Sequence, residues 1–239
     1  MAPPPRGNRD RAMAPGDEEQ IHPQVRVVVR PYANPMPLGF FAFGIGMFMY
    51  AALSAPWLKP TEAHTVGILL AVFVGPIELL ATVIAFLARD TASAAALGLF
   101  SVSWIAAGIL NVTAEPGVLS AADGFFLIAF SIVVVILGLP ALLTKPFIGV
   151  LLIVSSSRAV LFAVYELGGG AGWNHVSGWI ALGIFCIAMY GGLAFLLEDL
   201  QGRTVLPIGR RGPAREAIEG GLGTQLSTLA DEAGVRRPL

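Results

Sequence analysis

Residues 31–58 read PYANPMPLGFFAFGIGMFMYAALSAPWL, and between Arg30 and Lys59 only the phenols of Tyr32 and Tyr50 can ionise. About 20 apolar residues suffice for a helix to cross a hydrocarbon core of about 30 Å. Leu38 to Leu58 is therefore predicted as a membrane span. A window of about 19 residues moved along the rest of the chain places further spans at Thr65 to Ala88, Thr91 to Val112, Gly124 to Thr144, Phe147 to Leu167 and Val176 to Leu197. The reading is an all-α integral membrane protein, a bundle of six transmembrane helices with both termini on one side.

The composition of the 239 residues agrees. Only 13% are charged and 55% are apolar, and the mean hydropathy is +0.73. Soluble domains carry about 25% charged residues, so the chain lacks the charge to coat a water-facing surface, which argues against a soluble enzyme. Cys186 is the one cysteine, so no disulfide can form within the chain. His22, His64 and His175 are too scattered for metal-ligand spacing. Gly168-Gly169-Gly170 does not precede a Lys-Ser/Thr pair and reads as a loop between spans, not a phosphate cradle. No enzyme activity, cofactor, metal or nucleic-acid partner is expected.

Orientation follows from Lys and Arg, which loops retain on the cytoplasmic side. One side receives Arg6, Arg9, Arg11, Arg26, Arg30, Arg89, Lys145, Arg203, Arg210, Arg211, Arg215, Arg236 and Arg237, and the other receives Lys59 alone. Both termini are predicted to be cytoplasmic, in a plasma or bacterial inner membrane. Residues 1–33 are rich in Pro, Arg and Ala and lack the apolar stretch of a signal peptide, so they read as a disordered tail. Residues 34–209 form the six-helix domain, and 210–239 a second cytoplasmic tail in which Ala214 to Ala233 has the makings of a short surface helix.

Small residues line several spans: Gly39, Ala42, Gly44 and Gly46 in the first, and Gly178, Gly183, Ala188, Gly191 and Gly192 in the sixth. They let helix backbones approach closely, whether inside one bundle or between copies of a homo-oligomer. Gly124-Phe125-Phe126 opening the fourth span echoes Gly39-Phe40-Phe41 opening the first, as an inverted repeat of three plus three helices would.

Two motifs flank the spans. Asn34-Pro35-Met36-Pro37-Leu38-Gly39 stands where the tail meets the first, and its prolines hold the chain extended before a helix begins. Asn34 is thus set beside a positively polarised helix N-terminus, where it either caps the helix or helps bind a carboxylate. Gly202-Arg203-Thr204-Val205-Leu206-Pro207-Ile208-Gly209 follows the sixth span. Taken together, NPMPLG and GRTVLPIG resemble the acetate uptake transporter family, the acetate/succinate permeases of bacteria and their yeast relatives. The resemblance covers about Asn34 to Gly209. In it the Phe of the family's GFG falls on Phe43, the Tyr and Trp of its SYGxFW segment on Phe100 and Trp104, and its HxxGW on His175, Gly178 and Trp179.

The departures matter too. Where the family has Gly-Asn-Thr-Phe this chain has Arg89-Asp90-Thr91-Ala92, a common Glu falls on Ala85, and Phe100 in place of Tyr keeps the ring while deleting a hydroxyl. The resemblance implies carriage of small monocarboxylates, acetate foremost and succinate with it, coupled to protons, through an aromatic constriction in each protomer of a hexamer. The residues themselves point the same way more weakly. Phe100 and Trp104 are four apart and share a helix face, as do Phe43, Met47 and Tyr50, and an apolar throat opposes ions and gates by dewetting.

Three ionisable side chains fall inside spans, where each costs about 2.5–3.5 kcal/mol unless paired or wetted. Glu78 follows Pro76, Arg158 follows Ser155-Ser156-Ser157, and Glu166 lies two turns beyond Arg158. An ion pair between Arg158 and Glu78 or Glu166 is the structural reading. The functional one makes Arg158 the counter-charge of a transported anion and Glu78 a proton acceptor. The sites predicted along the substrate path are Asn34, Phe43, Phe100, Trp104, Glu78 and Arg158. A channel for a neutral solute such as urea or ammonia, and a membrane sensor reusing the scaffold, are the alternatives.

Overall fold

The structure is a computed structural model and describes residues 32–115, 117–212, 214–215 and 218. Most of both sequence-predicted tails, and most of the Ala214 to Ala233 segment, lie outside these residues. Among the described residues six helices are long and apolar enough to cross a membrane: α1 (Met36–Ser54), α2 (Pro60–Leu87), α3 (Thr91–Thr113), α4 (Ala121–Thr144), α5 (Pro146–Gly169) and α6 (Ala171–Gln201). Among the described residues there is no strand. The expected spans are recovered, with α6 longer at both ends than Val176 to Leu197.

Local chemistry sets the helix ends. At α1, the Asn34 side-chain oxygen accepts a 3.0 Å hydrogen bond from the Met36 N–H, filling one of the donors a helix start leaves bare. Asp90 caps α3 by accepting from the Ser93 amide and hydroxyl. Ser120 caps α4, accepting from the Asp123 N–H at 3.2 Å. Between α2 and α3 the chain reverses through Arg89 at φ 60°, with the Asp90 N–H reaching back to the Ala85 carbonyl and that of Arg89 to Phe86. This is the left-handed helix stop that glycine makes freely; a side chain there costs roughly 1–2 kcal/mol. The Gly of the resembling family and the Arg of this chain thus occupy a position whose backbone favours Gly.

Neighbouring helices pack as α1 on α6, α4 on α5, and α2 on α3, while α3 and α4 barely touch. The small residues serve these contacts inside the protomer. A side chain at Gly191 would run into Phe40 and Phe147, one at Gly178 into Ser54, and one at Gly46 into the Trp104 ring. The outward faces stay apolar, with Ile132, Ile136, Leu139 and Leu143 of α4 exposed, as surfaces meeting lipid should be. In α2 a π-helical turn over Leu70–Val74 precedes Gly75-Pro76. The Ser101 hydroxyl donates to the Gly75 carbonyl at 2.9 Å, tying this irregular stretch to α3 and setting Glu78 on its inward side.

Below α6, the GRTVLPIG segment folds back across the end of the bundle where α4 finishes and α5 begins. Tyr190 donates to the Pro207 carbonyl at 3.0 Å, Ile208 is buried, and the Arg211 N–H reaches the Thr144 carbonyl. Arg210 clasps Glu198 through Nε at 3.1 Å and Nη2 at 2.5 Å.

Candidate functional site

Successive helices alternate in direction, so the early residues of α1, α3 and α5 lie at the end where α1 begins and α6 finishes, and their later residues at the far end. A cavity of about 40 Å³ sits toward the first of these, lined by Met36, Phe40 and Phe43 of α1, Glu78 of α2, Leu97 of α3 and Leu151 of α5. A second, of about 50 Å³, lies toward the far end among Tyr50 of α1, Trp104 of α3, Asp123 and Phe130 of α4, and Arg158 and Phe162 of α5. Roughly 10–15 Å³ of such space holds one water, so the far cavity has room for a molecule of about acetate's size.

Between the cavities stands an aromatic cluster. Phe43 meets Phe100 edge-on at 4.9 Å between ring centroids and Trp104 at 5.8 Å, and Phe100 meets Phe130 at 5.2 Å. Phe100 lines both cavities. Phe43, Phe100 and Trp104 are thus brought into one group, with Tyr50 stacked 5.4 Å from Trp104. The helix-face spacings placed Phe100 beside Trp104 and Phe43 beside Tyr50. The contact between the two faces is a property of the fold.

Trp104 joins the two sides chemically. Its indole N–H donates to Glu78 Oε1 at 3.0 Å, while its ring forms a wall of the Arg158 cavity. Glu78 is fully buried, and its Oε2 has no hydrogen-bond partner.

The ion pairs read for Arg158 are not formed. Glu78 takes the Trp104 N–H instead, and Glu166 Oε2 accepts from the Ser120 backbone N–H at 2.7 Å, bracing α5 against the start of α4. Arg158 is only 5% exposed and its Nε and Nη2 have no hydrogen-bond partner. Its guanidinium lies over Tyr50 at 4.3 Å and near Phe162 at 5.1 Å. These cation–π contacts hold the flat group in place through its faces and leave its edge unused. The Nε–Nη2 edge presents two parallel N–H donors, the geometry that grips a carboxylate bidentately.

Two contributors were missed in the sequence. Asp123 lines the far cavity with Arg158, but in Ser120-Ala121-Ala122-Asp123 its local role at a helix start hides this one. Gly46 makes room for Trp104: a β-carbon there would sit 2.9 Å from the indole. Asn34 lies just outside the cavity that Met36 lines, with its side-chain oxygen used in capping. Among the described residues no group of His, Cys, Asp and Glu could hold a metal ion.

The GPR1/FUN34/yaaH family model matches residues 18–208. The succinate-acetate/proton symporters SatP of Escherichia coli K12 and of Shigella flexneri are each 30% identical over 190 residues, covering 74% of this chain and 95% of the relative. A solved structure, that of the bacterial acetate channel SatP, superposes with a TM-score of 0.66 at 21% identity, over 74% of this chain and 99% of that one. Its likeness bears on the fold alone. The sequence relatives are transporters, not enzymes. By the extent of the family match, this chain belongs to the GPR1/FUN34/yaaH family, the acetate uptake transporters.

Proposed function

We propose that this chain moves small monocarboxylates, acetate foremost and succinate after it, across a bilayer by a path through each protomer. The carrying observation is the order of groups between the helices: an unfilled guanidinium edge at Arg158, an aromatic throat of Phe43, Phe100 and Trp104, then the Glu78 carboxyl. Each step has a physical reason. Arg158 compensates the charge of a carboxylate that leaves water. The throat, apolar and narrow, opposes hydrated ions and passes a solute that sheds its water. A protonated acid crosses such a throat at far lower cost than its anion, and Glu78, across it, exchanges that proton. At the mouth beside Met36, the amide nitrogen of Asn34 meets the carboxylate.

In this reading the termini face the cytoplasm of a plasma or bacterial inner membrane, in line with Arg89, Lys145, Arg203, Arg210 and Arg211 at that end against Lys59 at the other. Protomers associate as a hexamer, and an inverted repeat relates the first three helices to the last three. The SatP relatives, named as proton symporters for succinate and acetate, support the substrate class and the coupling. A channel for urea or ammonia would leave the unfilled edge of Arg158 without a purpose. Labelled acetate flux into proteoliposomes, with and without a pH gradient, tests the reading. Uptake above empty liposomes that rises with an inward proton gradient is expected. Acetate and succinate fluxes at background in folded protein overturn it, and acetate flux indifferent to the gradient removes the proton coupling.

A further inference from the structure

We infer that the far cavity is a binding site for small monocarboxylates that carry a hydrogen-bond donor next to the carboxyl, such as a 2-hydroxy or 2-amino acid, with Arg158 holding the carboxylate and Asp123 taking the donor. The inference rests on the transport reading and specifies what the site selects.

The cavity's hydrogen-bonding groups can be counted one by one. Ser103 donates to the Phe100 carbonyl and Ser155 to that of Leu151. Trp104 gives its N–H to Glu78. These three donors are spent, which leaves the Tyr50 hydroxyl and the guanidinium of Arg158, its Nε–Nη2 edge unpartnered, as donors for a carboxylate. The rings of Tyr50 and Phe162 fix the plane of that edge. The acceptor side is equally defined. Asp123 lines the same cavity; its carboxylate forms no ion pair among the described residues and feels the Arg158 charge only across the cavity. It stands in the first turn of α4, nearer the far end than Arg158, in the middle of α5. A molecule entering from that end passes Asp123 before it reaches Arg158.

An acidic side chain near Arg158 gives a plain carboxylate such as acetate or propionate no second group to bind. The same group attracts a ligand whose trailing end is a hydroxyl or ammonium. A cavity holding one guanidinium and one carboxylate is matched by a ligand with one carboxylate and one donor, so that no buried charge is left unpaired. About 50 Å³ holds a two- or three-carbon acid whole, and a longer one such as succinate only by one carboxylate end.

Glycolate, glycine and propionate have the same number of heavy atoms, and propionate alone lacks the donor. Each is used unlabelled to compete with labelled acetate uptake into proteoliposomes, with thermal stabilisation of the detergent-solubilised protein as a second readout of binding. For wild-type protein, glycolate or glycine should compete at about tenfold lower concentration than propionate, the worth of one hydrogen bond to a charged group. Whichever of the two competes better identifies the donor as hydroxyl or ammonium. In Asp123→Ala the ratio to propionate should fall toward one. If wild-type protein takes propionate as well as or better than both others, as an apolar cavity would, the inference is overturned while acetate transport stands. A ratio unchanged in folded Asp123→Ala also overturns it. If that variant does not fold, the wild-type ratio alone decides. Acetate uptake at background, with no acid stabilising the protein, overturns the transport reading and this inference together.

Discussion

Two arginines in this chain use the same edge for opposite ends. Arg210, in the strap beneath the bundle, closes Nε and Nη2 on the two oxygens of Glu198 and rests its face against Phe195 at 5.6 Å. Arg158, between the helices, rests its faces on Tyr50 and Phe162 in the same manner and closes Nε and Nη2 on nothing. The first pair is complete and has only to hold the GRTVLPIG segment across α6. The second has the ring contacts that fix a guanidinium but no hydrogen-bonded counter-charge: its Nε and Nη2 are buried without partners, and the residue lines a cavity the size of a small acid whose acidic group is Asp123. Where a buried fork is filled by the chain it fastens structure; where it is left unfilled beside a cavity it is available to a ligand.

The largest effect that would break this comparison is on stability. Glu198→Gln should leave the Arg210 charge buried without its partner and destabilise by about 3–5 kcal/mol, lowering the melting temperature on the order of 10 °C for a chain of this length. Combining it with Arg210→Gln should restore much of the loss. Arg158→Gln, by contrast, breaks no ion pair and leaves only the half-buried Asp123 uncompensated across the cavity, so its melting temperature should fall far less than that of Glu198→Gln. Its acetate uptake should fall about tenfold or more, with Arg158→Lys keeping part of it because the charge survives without the planar fork. A large drop in melting temperature for Arg158→Gln would make the two arginines alike and end the distinction.

How much of this could be read from the sequence depends on the reach of each signal. Spans were legible because they rest on runs of about 20 residues between charges, and the flanking NPMPLG and GRTVLPIG segments identified the family. Ring pairs four apart on one helix were legible for the same local reason. The partner of Arg158 was not. Charge and depth made Glu78 and Glu166 the natural candidates, but pairing depends on rotation about each helix axis. Trp104, 26 residues from Glu78, and the Ser120 amide, 46 from Glu166, had no sequence mark as their partners. Asp123 was hidden because a helix start already accounted for it. Gly46 looked like ordinary close packing, although what it admits is the indole of the throat.

The throat lies between the two arginines in expected effect. Phe43→Ala and Phe100→Ala each remove apolar bulk from a constriction whose resistance is dewetting, so acetate flux should rise a few-fold or discrimination against larger acids should relax. Gly46→Ala should act in the opposite sense, crowding Trp104 into the path and slowing flux. Proteoliposome uptake of acetate and succinate in the three variants checks both directions. If all three match wild type in rate and selectivity, these rings do not line the path, and the cavity at Arg158 has no outlet past them.

The smallest effect belongs to a second ion pair, more exposed than that of Arg210, which sets a lower bound on what closing a charge pair is worth here. Lys145 Nζ lies 2.6 Å from Asp90 Oδ2, joining the α4–α5 corner to the start of α3. Burial works to raise the pKa of Asp90, but the Lys145 ammonium and hydrogen bonds from Lys145 and Ser93 outweigh it and hold the carboxyl below its usual range. A carboxyl held down in the folded state adds stability that is complete above its unfolded pKa, near 3.9, and is lost as pH falls through the lower folded value. This contribution is therefore constant from pH 5 to 8 and fades below about pH 4. Because about a third of the Asp90 side chain meets solvent, Asp90→Asn should cost no more than about 1 kcal/mol at neutral pH, softened by the capping that Asn also provides. Melting temperatures of the two proteins should converge as pH drops from 5 to 3. Curves that stay parallel over that range would mean that the Asp90 charge contributes nothing, and that closing the α3 and α5 ends together is the work of packing alone.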